Sequence, residues 1–350
     1  MSTPHPPAGL RVIGAAEVAA QIDGNREGAL AAVRRAYLAH ASGATANPHS
    51  SFLRFPDRPS DRIIALPAFL DDTAGTDDPA GTEDGGRWSG IKWIASYPGN
   101  VEHGFPRASA TMVLNDYETG YPYAVLEASI ISATRTAASA VLGAEALLGG
   151  RRARRVGFVG TGLISDHVRM FLRDLDWEVD EFVLFDTVTA NAERFAATLA
   201  ADGPKGAVSV ADDVAGAFAG CDVVVVATVA GTPHLTDPAL LAGAPVVLHI
   251  SLRDLAPELI LQATNVTDDV DHAVREQTSL HLAEQQVGHR EFVHGTIADV
   301  VRGELVREPG RAAIFSPFGL GVLDLAVGGW VHDQVAAAGG GHLVPDFFPI

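Results

Sequence analysis

One short stretch constrains this chain more than any other: Gly160-Thr161-Gly162-Leu163-Ile164-Ser165, which follows the β-type run Arg155–Val159 and opens the helical pattern Ser165–Leu175. In a G-x-G-x-x-small loop the first glycine makes the tight turn. The second lets the backbone approach a pyrophosphate, and the third position stays small so that helix and strand can pack. Here Ser165 fills that third position. The helix N-terminus offers free N–H groups and the positive end of its dipole to phosphates. Gly160, Thr161, Gly162, Leu163 and Ile164 are therefore candidate cofactor-binding residues. A second strand, Glu181–Asp186, ends in a carboxylate 26 residues beyond Gly160. At that spacing Asp186 would accept from a ribose diol and repel a 2′-phosphate, which favours NAD over NADP.

Around this loop the pattern alternates. Helices are expected at Ser165–Leu175 and Ala190–Ala201. They alternate with apolar runs at Arg155–Val159, Glu181–Asp186, Ala207–Val210, Cys221–Thr228 and Pro245–Ser251. Buried strands interleaved with helices predict an α/β fold with a Rossmann-type, doubly wound parallel sheet. The first part of the chain reads differently. A helix over Ile22–Ala41 precedes strand-like runs at Arg62–Leu70, Gly90–Tyr97, Ala110–Asn115 and Tyr121–Leu126, which predicts an antiparallel α+β domain. Between them Asp71–Arg87 carries six acids against one arginine and reads as a solvated loop. A long Ala-rich helix, about Glu127–Leu148, closes on Gly149-Gly150.

The formal charge of −18 repels polyanions, so neither nucleic acid nor an anionic membrane is an expected partner. The chain opens without a charged-then-apolar leader and contains no apolar run of about 18 residues, so a soluble cytoplasmic protein is expected. Cys221 is the sole cysteine and reads as core. His289 and His294 are five residues apart, a poor match to H-E-x-x-H, so no metal is expected. Lys92 and Lys205 are the only lysines. Lys92 lies between Ile91 and Trp93 in an apolar strand, where it either snorkels to water or pairs with an anion, because a lone buried ammonium is costly. Arg135 interrupts the Ala-rich helix in a similar way.

Taken in order, Gly90-Ile91-Lys92 through Pro98-Gly99-Asn100, Thr134-Arg135-Thr136-Ala137-Ala138, the glycine loop, Ser251-Leu252-Arg253-Asp254, Pro257-Glu258-Leu259 and Phe315–Leu320 resemble the ornithine cyclodeaminase/mu-crystallin family. The likeness covers roughly residues 54–325. His49–Pro56, Gly104–Ala110 and Pro345–Phe348 are most similar to its 2,3-diaminopropionate-making branch.

The resemblance implies a substrate-binding and dimerisation domain at 1–130, an NAD-binding domain at 131–307, and a C-terminal segment, 308–350, returning to the first. It implies a homodimer and a small amino-acid-derived substrate. It places Arg54, Lys92 and Arg135 as clamps on substrate carboxylates, with Lys92 also catalytic, and Thr228 and Ser251 beside the cofactor. Asp254 falls near the family's catalytic aspartate. This chain lacks the longer D-x-P-G-K-type stretch of the cyclodeaminases, which argues against ornithine cyclisation.

The implied reaction is NAD-dependent cleavage of N-(2-amino-2-carboxyethyl)-L-glutamate to 2-oxoglutarate and 2,3-diaminopropionate, feeding a siderophore or peptide-antibiotic pathway. One carboxylate, Asp254, could take a proton from the amine and activate water. Ornithine cyclodeaminase, alanine or imino-acid dehydrogenase, and a mu-crystallin-like binding protein are the alternatives.

Overall fold

The structure, a computed structural model, describes residues 7–73, 86–203 and 206–349. It divides into two compact units: Met1–Arg135 with Leu320–Ile350, and Thr136–Gly319. Most of the acidic 71–87 stretch lies outside the described residues. Among the described residues no helix is long and apolar enough to cross a membrane.

The first unit is built on one sheet in the order His342–Pro345, Gly9–Ile13, Pro122–Glu127, Ala108–Asn115, Arg87–Ser96, Arg58–Asp71 and Thr45–Ala46, with Ser51–Phe55 also pairing to Arg58–Asp71. Among the described residues the expected antiparallel pairing holds for every pair except one: Gly9–Ile13 runs parallel to Pro122–Glu127, so the sheet is mixed. The helix expected over 22–41 is two helices, Ala15–Asp23 and Arg26–Ala41. The second begins where Asn25 caps it by accepting from the Gly28 amide at 2.8 Å.

The apolar helix Gly321–Ala337 packs on this sheet against Arg58–Asp71 and Arg87–Ser96. Its approach is close enough that a Cβ on Gly329 would lie 2.4 Å from the Trp88 indole nitrogen. Alternation along Arg87–Ser96 turns Trp88 and Lys92 toward the core, while Trp93 is exposed.

The second unit holds eight parallel strands in the order Ala207–Val210, Glu178–Phe185, Arg152–Val159, Val223–Val226, Val246–His249, Ala313–Phe315, Thr264–Thr267 and Val293–Thr296. The strand order reverses between Arg152–Val159 and Val223–Val226, and ligands bind at the carboxyl edge beside such a switch point. Residues 308–319, expected with the C-terminal return, belong to this unit instead. Ala313–Phe315 is an interior strand here, paired on both sides by Val246–His249 and Thr264–Thr267. At the other boundary the division falls after Arg135 rather than 130, within the helix Ser129–Leu148.

Candidate active site

The glycine loop leaves Arg152–Val159 at the switch point. Gly160 has φ +84, and a Cβ there would strike the Ala227 carbonyl at 2.6 Å, so only glycine fits. Gly162 is a different case. Its φ is −85, which any residue adopts, and a Cβ there would meet nothing within 4 Å. The space over Gly162 is open, as the approach of a pyrophosphate to the backbone would require. The helix Leu163–Asp174 starts there without a side-chain cap. Ser165 is buried and donates to the Gly160 carbonyl at 2.5 Å, so the hydroxyl at the small position braces the turn it follows.

Asp186 accepts from the Thr161 amide at 2.9 Å, the Thr161 hydroxyl at 3.0 Å and the Val188 amide at 2.9 Å. Partial burial would raise its pKa, but these donors outweigh burial and hold it lower. The carboxylate expected at a ribose therefore also anchors the phosphate loop. These residues fit a dinucleotide.

Across the switch point the chain builds a second feature on the same carboxyl edge. Leu252, with φ +69, sits in a left-handed turn just after Val246–His249. That turn drives Asp254 into the interior, where it is completely buried. Thr228 Oγ1 donates to its Oδ1, and His234 Nε2 lies 3.2 Å from the same oxygen. On the other oxygen, Ser251 Oγ donates and His249 Nε2 stands 3.3 Å away. The opposite imidazole tautomer of His249 accepts from the Asp254 amide at 3.2 Å. Burial works against the charge, yet His249, Ser251 and Thr228 reverse its effect and hold the carboxyl far below the usual range. Thr228 and Ser251, expected at the cofactor, are thus committed to Asp254. Arg253 turns away to the Glu276 carbonyl.

In the first unit Lys92 is buried and does not snorkel. Its ammonium lies 2.7 Å from Asp324 Oδ2 and donates to Ser132 Oγ at 3.0 Å. Arg135 Nε donates to Asp324 Oδ1 at 3.1 Å. Burial pushes Lys92 down to about 8, with Asp324 opposing the shift and Arg135 adding to it. The two expected clamps therefore meet on one carboxylate. Two of the three ammonium protons of Lys92 thus face Asp324 and Ser132, and Arg135 engages Asp324 through Nε.

Arg54 is not brought to them. It is exposed, stacked over Phe52 with 5.1 Å to the ring centroid. Its register partner is Arg62, whereas Lys92 stands opposite Leu66. Four residues along and two strands across separate them by roughly 16 Å of backbone.

Asp324, His234 and His249 were not among the expected site residues. Asp324 carried a signal, a lone acid within the apolar run Gly321–Trp330, which needs a buried partner. The histidines carried none. Cys221 is buried, and burial pushes its thiol up to about 11, which leaves it unreactive.

A doubly wound sheet, a glycine loop at its switch point and a buried carboxylate on the same edge define a dinucleotide-binding oxidoreductase. The chain belongs to the ornithine cyclodeaminase/mu-crystallin family, whose model matches residues 79–339. It is 29% identical over 317 residues to N-((2S)-2-amino-2-carboxyethyl)-L-glutamate dehydrogenase of Staphylococcus aureus, covering 87% of this chain and 88% of that protein. An archaeal alanine dehydrogenase dimer with bound NAD superposes with a TM-score of 0.81 at 25% identity, covering 97% of this chain and 99% of that one. The Thermococcus litoralis Δ1-pyrroline-2-carboxylate reductase, solved with NADH and L-proline, shares the fold at a TM-score of 0.83 and 20% identity, with coverage of 95% and 100%.

Proposed function

We propose that this protein oxidises N-(2-amino-2-carboxyethyl)-L-glutamate with NAD+, giving 2-oxoglutarate and L-2,3-diaminopropionate for a siderophore or peptide-antibiotic pathway. In class it is an NAD-dependent oxidoreductase acting on a CH–NH bond of an amino-acid derivative. One observation carries the substrate class: Lys92 and Arg135 share a single anion, Asp324. That leaves one net positive charge in a chain of −18, a local inversion suited to a carboxylate. The 29% identity to the dehydrogenase of that substrate supports the particular amino acid. We place the protein in the cytoplasm as a homodimer. Exposed Trp93 and Leu53, whose register partners Ala65 and Ile63 are two residues apart on the strand between them, share one face of the first unit's sheet and support an apolar contact there.

Gly160, Thr161, Gly162, Leu163 and Ile164 would hold the pyrophosphate, and Asp186 the adenosine ribose. When bound, NAD+ accepts a hydride from the glutamate α-carbon. Arg135 and Lys92 orient the substrate through its carboxylates. The Asp254 cluster lies at the same sheet edge as the glycine loop and handles the proton that the amine must lose. Arg54 would act on a distal carboxylate.

The test mixes protein, NAD+ and N-(2-amino-2-carboxyethyl)-L-glutamate and follows NADH absorbance and product masses, with alanine and ornithine as competitors. NADH with both expected masses supports the reading; turnover of alanine alone would replace it with alanine dehydrogenase. NAD binding without NADH from any amine would leave a mu-crystallin-like binding protein.

Gly162 has its own check. Gly162→Ala should change stability by less than about 1 kcal/mol. The methyl would intrude where the pyrophosphate lies, at a cost of about 1–3 kcal/mol, so NAD+ affinity should fall on the order of 10–100-fold by calorimetry. Unchanged affinity would remove Gly162 from the cofactor site.

A further inference from the structure

The enclosure of Asp254 raises a chemical difficulty. A carboxylate offers roughly four lone-pair directions. Those of Asp254 face Thr228, His234, Ser251 and His249, and no part of its side chain reaches solvent. Such a group is well made to stay ionised and poorly made to take a proton from a substrate. Of its four neighbours only His234 combines a titratable nitrogen with real exposure, its side chain being 46% accessible. It is also held in place. The Asp254 carbonyl accepts from the amides of both His234 and Leu235 at 2.9 Å, and Leu235 bridges Leu255 in parallel. The segment that carries it leaves the Val223–Val226 strand at the switch point, where the Ala227 amide donates to the Val159 carbonyl at 3.0 Å, just before Gly160.

We infer that His234 is the proton-transfer residue of this site and that Asp254 is the positioning residue behind it, fixing the imidazole through the Oδ1 contact. The inference rests on the CH–NH oxidoreductase reading. His234 takes one proton from the substrate ammonium and passes it to solvent, leaving the amine lone pair free. As the α-carbon gives up its hydride, the C=N bond of a protonated imine forms. His234 then takes a proton from water as its oxygen attacks that carbon. It returns this proton to nitrogen, the C–N bond breaks, and the remaining hydroxyl proton passes to the departing amine. The sum is substrate, NAD+ and water giving 2-oxoglutarate, 2,3-diaminopropionate as its ammonium, NADH and one proton. The same proton transfers serve any amine this scaffold oxidises and hydrolyses.

The experiment uses the NAD+-loaded protein and whichever amine the wild type turns over among N-(2-amino-2-carboxyethyl)-L-glutamate, alanine and ornithine. His234→Asn should lower kcat by about 10²-fold or more, with NAD+ affinity unchanged by calorimetry. Free imidazole should restore part of the rate lost in His234→Ala, which a merely structural role would not permit. Wild-type kcat in His234→Asn, or a loss in His234→Ala that imidazole does not restore, would overturn the assignment. Turnover of alanine alone would discard the proposed substrate while still testing His234. A wild type that oxidises none of the three would refute the enzyme reading and this inference with it.

Discussion

Replacing Asp324 by alanine is expected to lower stability by about 3–5 kcal/mol, the usual cost of removing one partner from a buried ion pair. Asp324 is buried between Lys92 and Arg135. Without it two cations face one another, and Lys92 has no anion left. A urea titration at pH 7 measures the loss, and a midpoint within error of wild type would show that the triad is not a structural element. A pH series separates the parts. Lys92 is lowered from 10.5 to about 8, so between those values the unfolded chain binds a proton that the folded chain does not. Stability from this group therefore rises with pH across about 8 to 10.5, by roughly 3 kcal/mol. In Lys92→Met that rise should vanish. For the proposed role of Lys92 as a substrate clamp the sign is opposite: its ammonium is lost above about pH 8, so KM should climb there.

The second large effect is expected at Asp254. Asp254→Asn keeps the side chain's shape but removes the charge that Thr228, Ser251, His234 and His249 surround. Turnover should fall on the order of 10²–10⁴-fold, while NAD+ affinity persists, because no glycine-loop residue bonds to this carboxylate among the described contacts. Calorimetry with NAD+ and steady-state NADH formation distinguish the two quantities. Wild-type turnover would take Asp254 out of the reaction, both as a base and as the group that positions His234. Loss of NAD+ binding would instead make the cluster part of the cofactor pocket, as expected of Thr228 and Ser251 from the sequence.

The parts legible in the sequence share one property: they depend on neighbours in the chain. The strand–glycine–helix order around Gly160 and the acid just after Glu178–Phe185 are local, and the structure returns them with Asp186 accepting from Thr161. The interior place of Lys92 was legible in its apolar surroundings as one of two options. Its partner was not, because Asp324 lies more than two hundred residues away and only the return of Gly321–Ala337 onto the sheet brings them together. Arg54 was legible in residue type and not in place. Its residue type suited a clamp, but register sets it opposite Arg62, four positions from the row of Lys92.

By itself, then, the sequence determined a parallel, doubly wound sheet with a dinucleotide loop, since period, turn glycines and the Asp186 spacing are short-range. It also determined that Lys92 and Arg135 required explanation, since charge in apolar segments is costly wherever the chain folds. The tertiary structure alone decided which anion answers those charges and which imidazoles stand beside Asp254. Asp324 reaches Lys92 only through helix-on-sheet packing, and His234 meets Asp254 only because two loops leave adjacent strand ends.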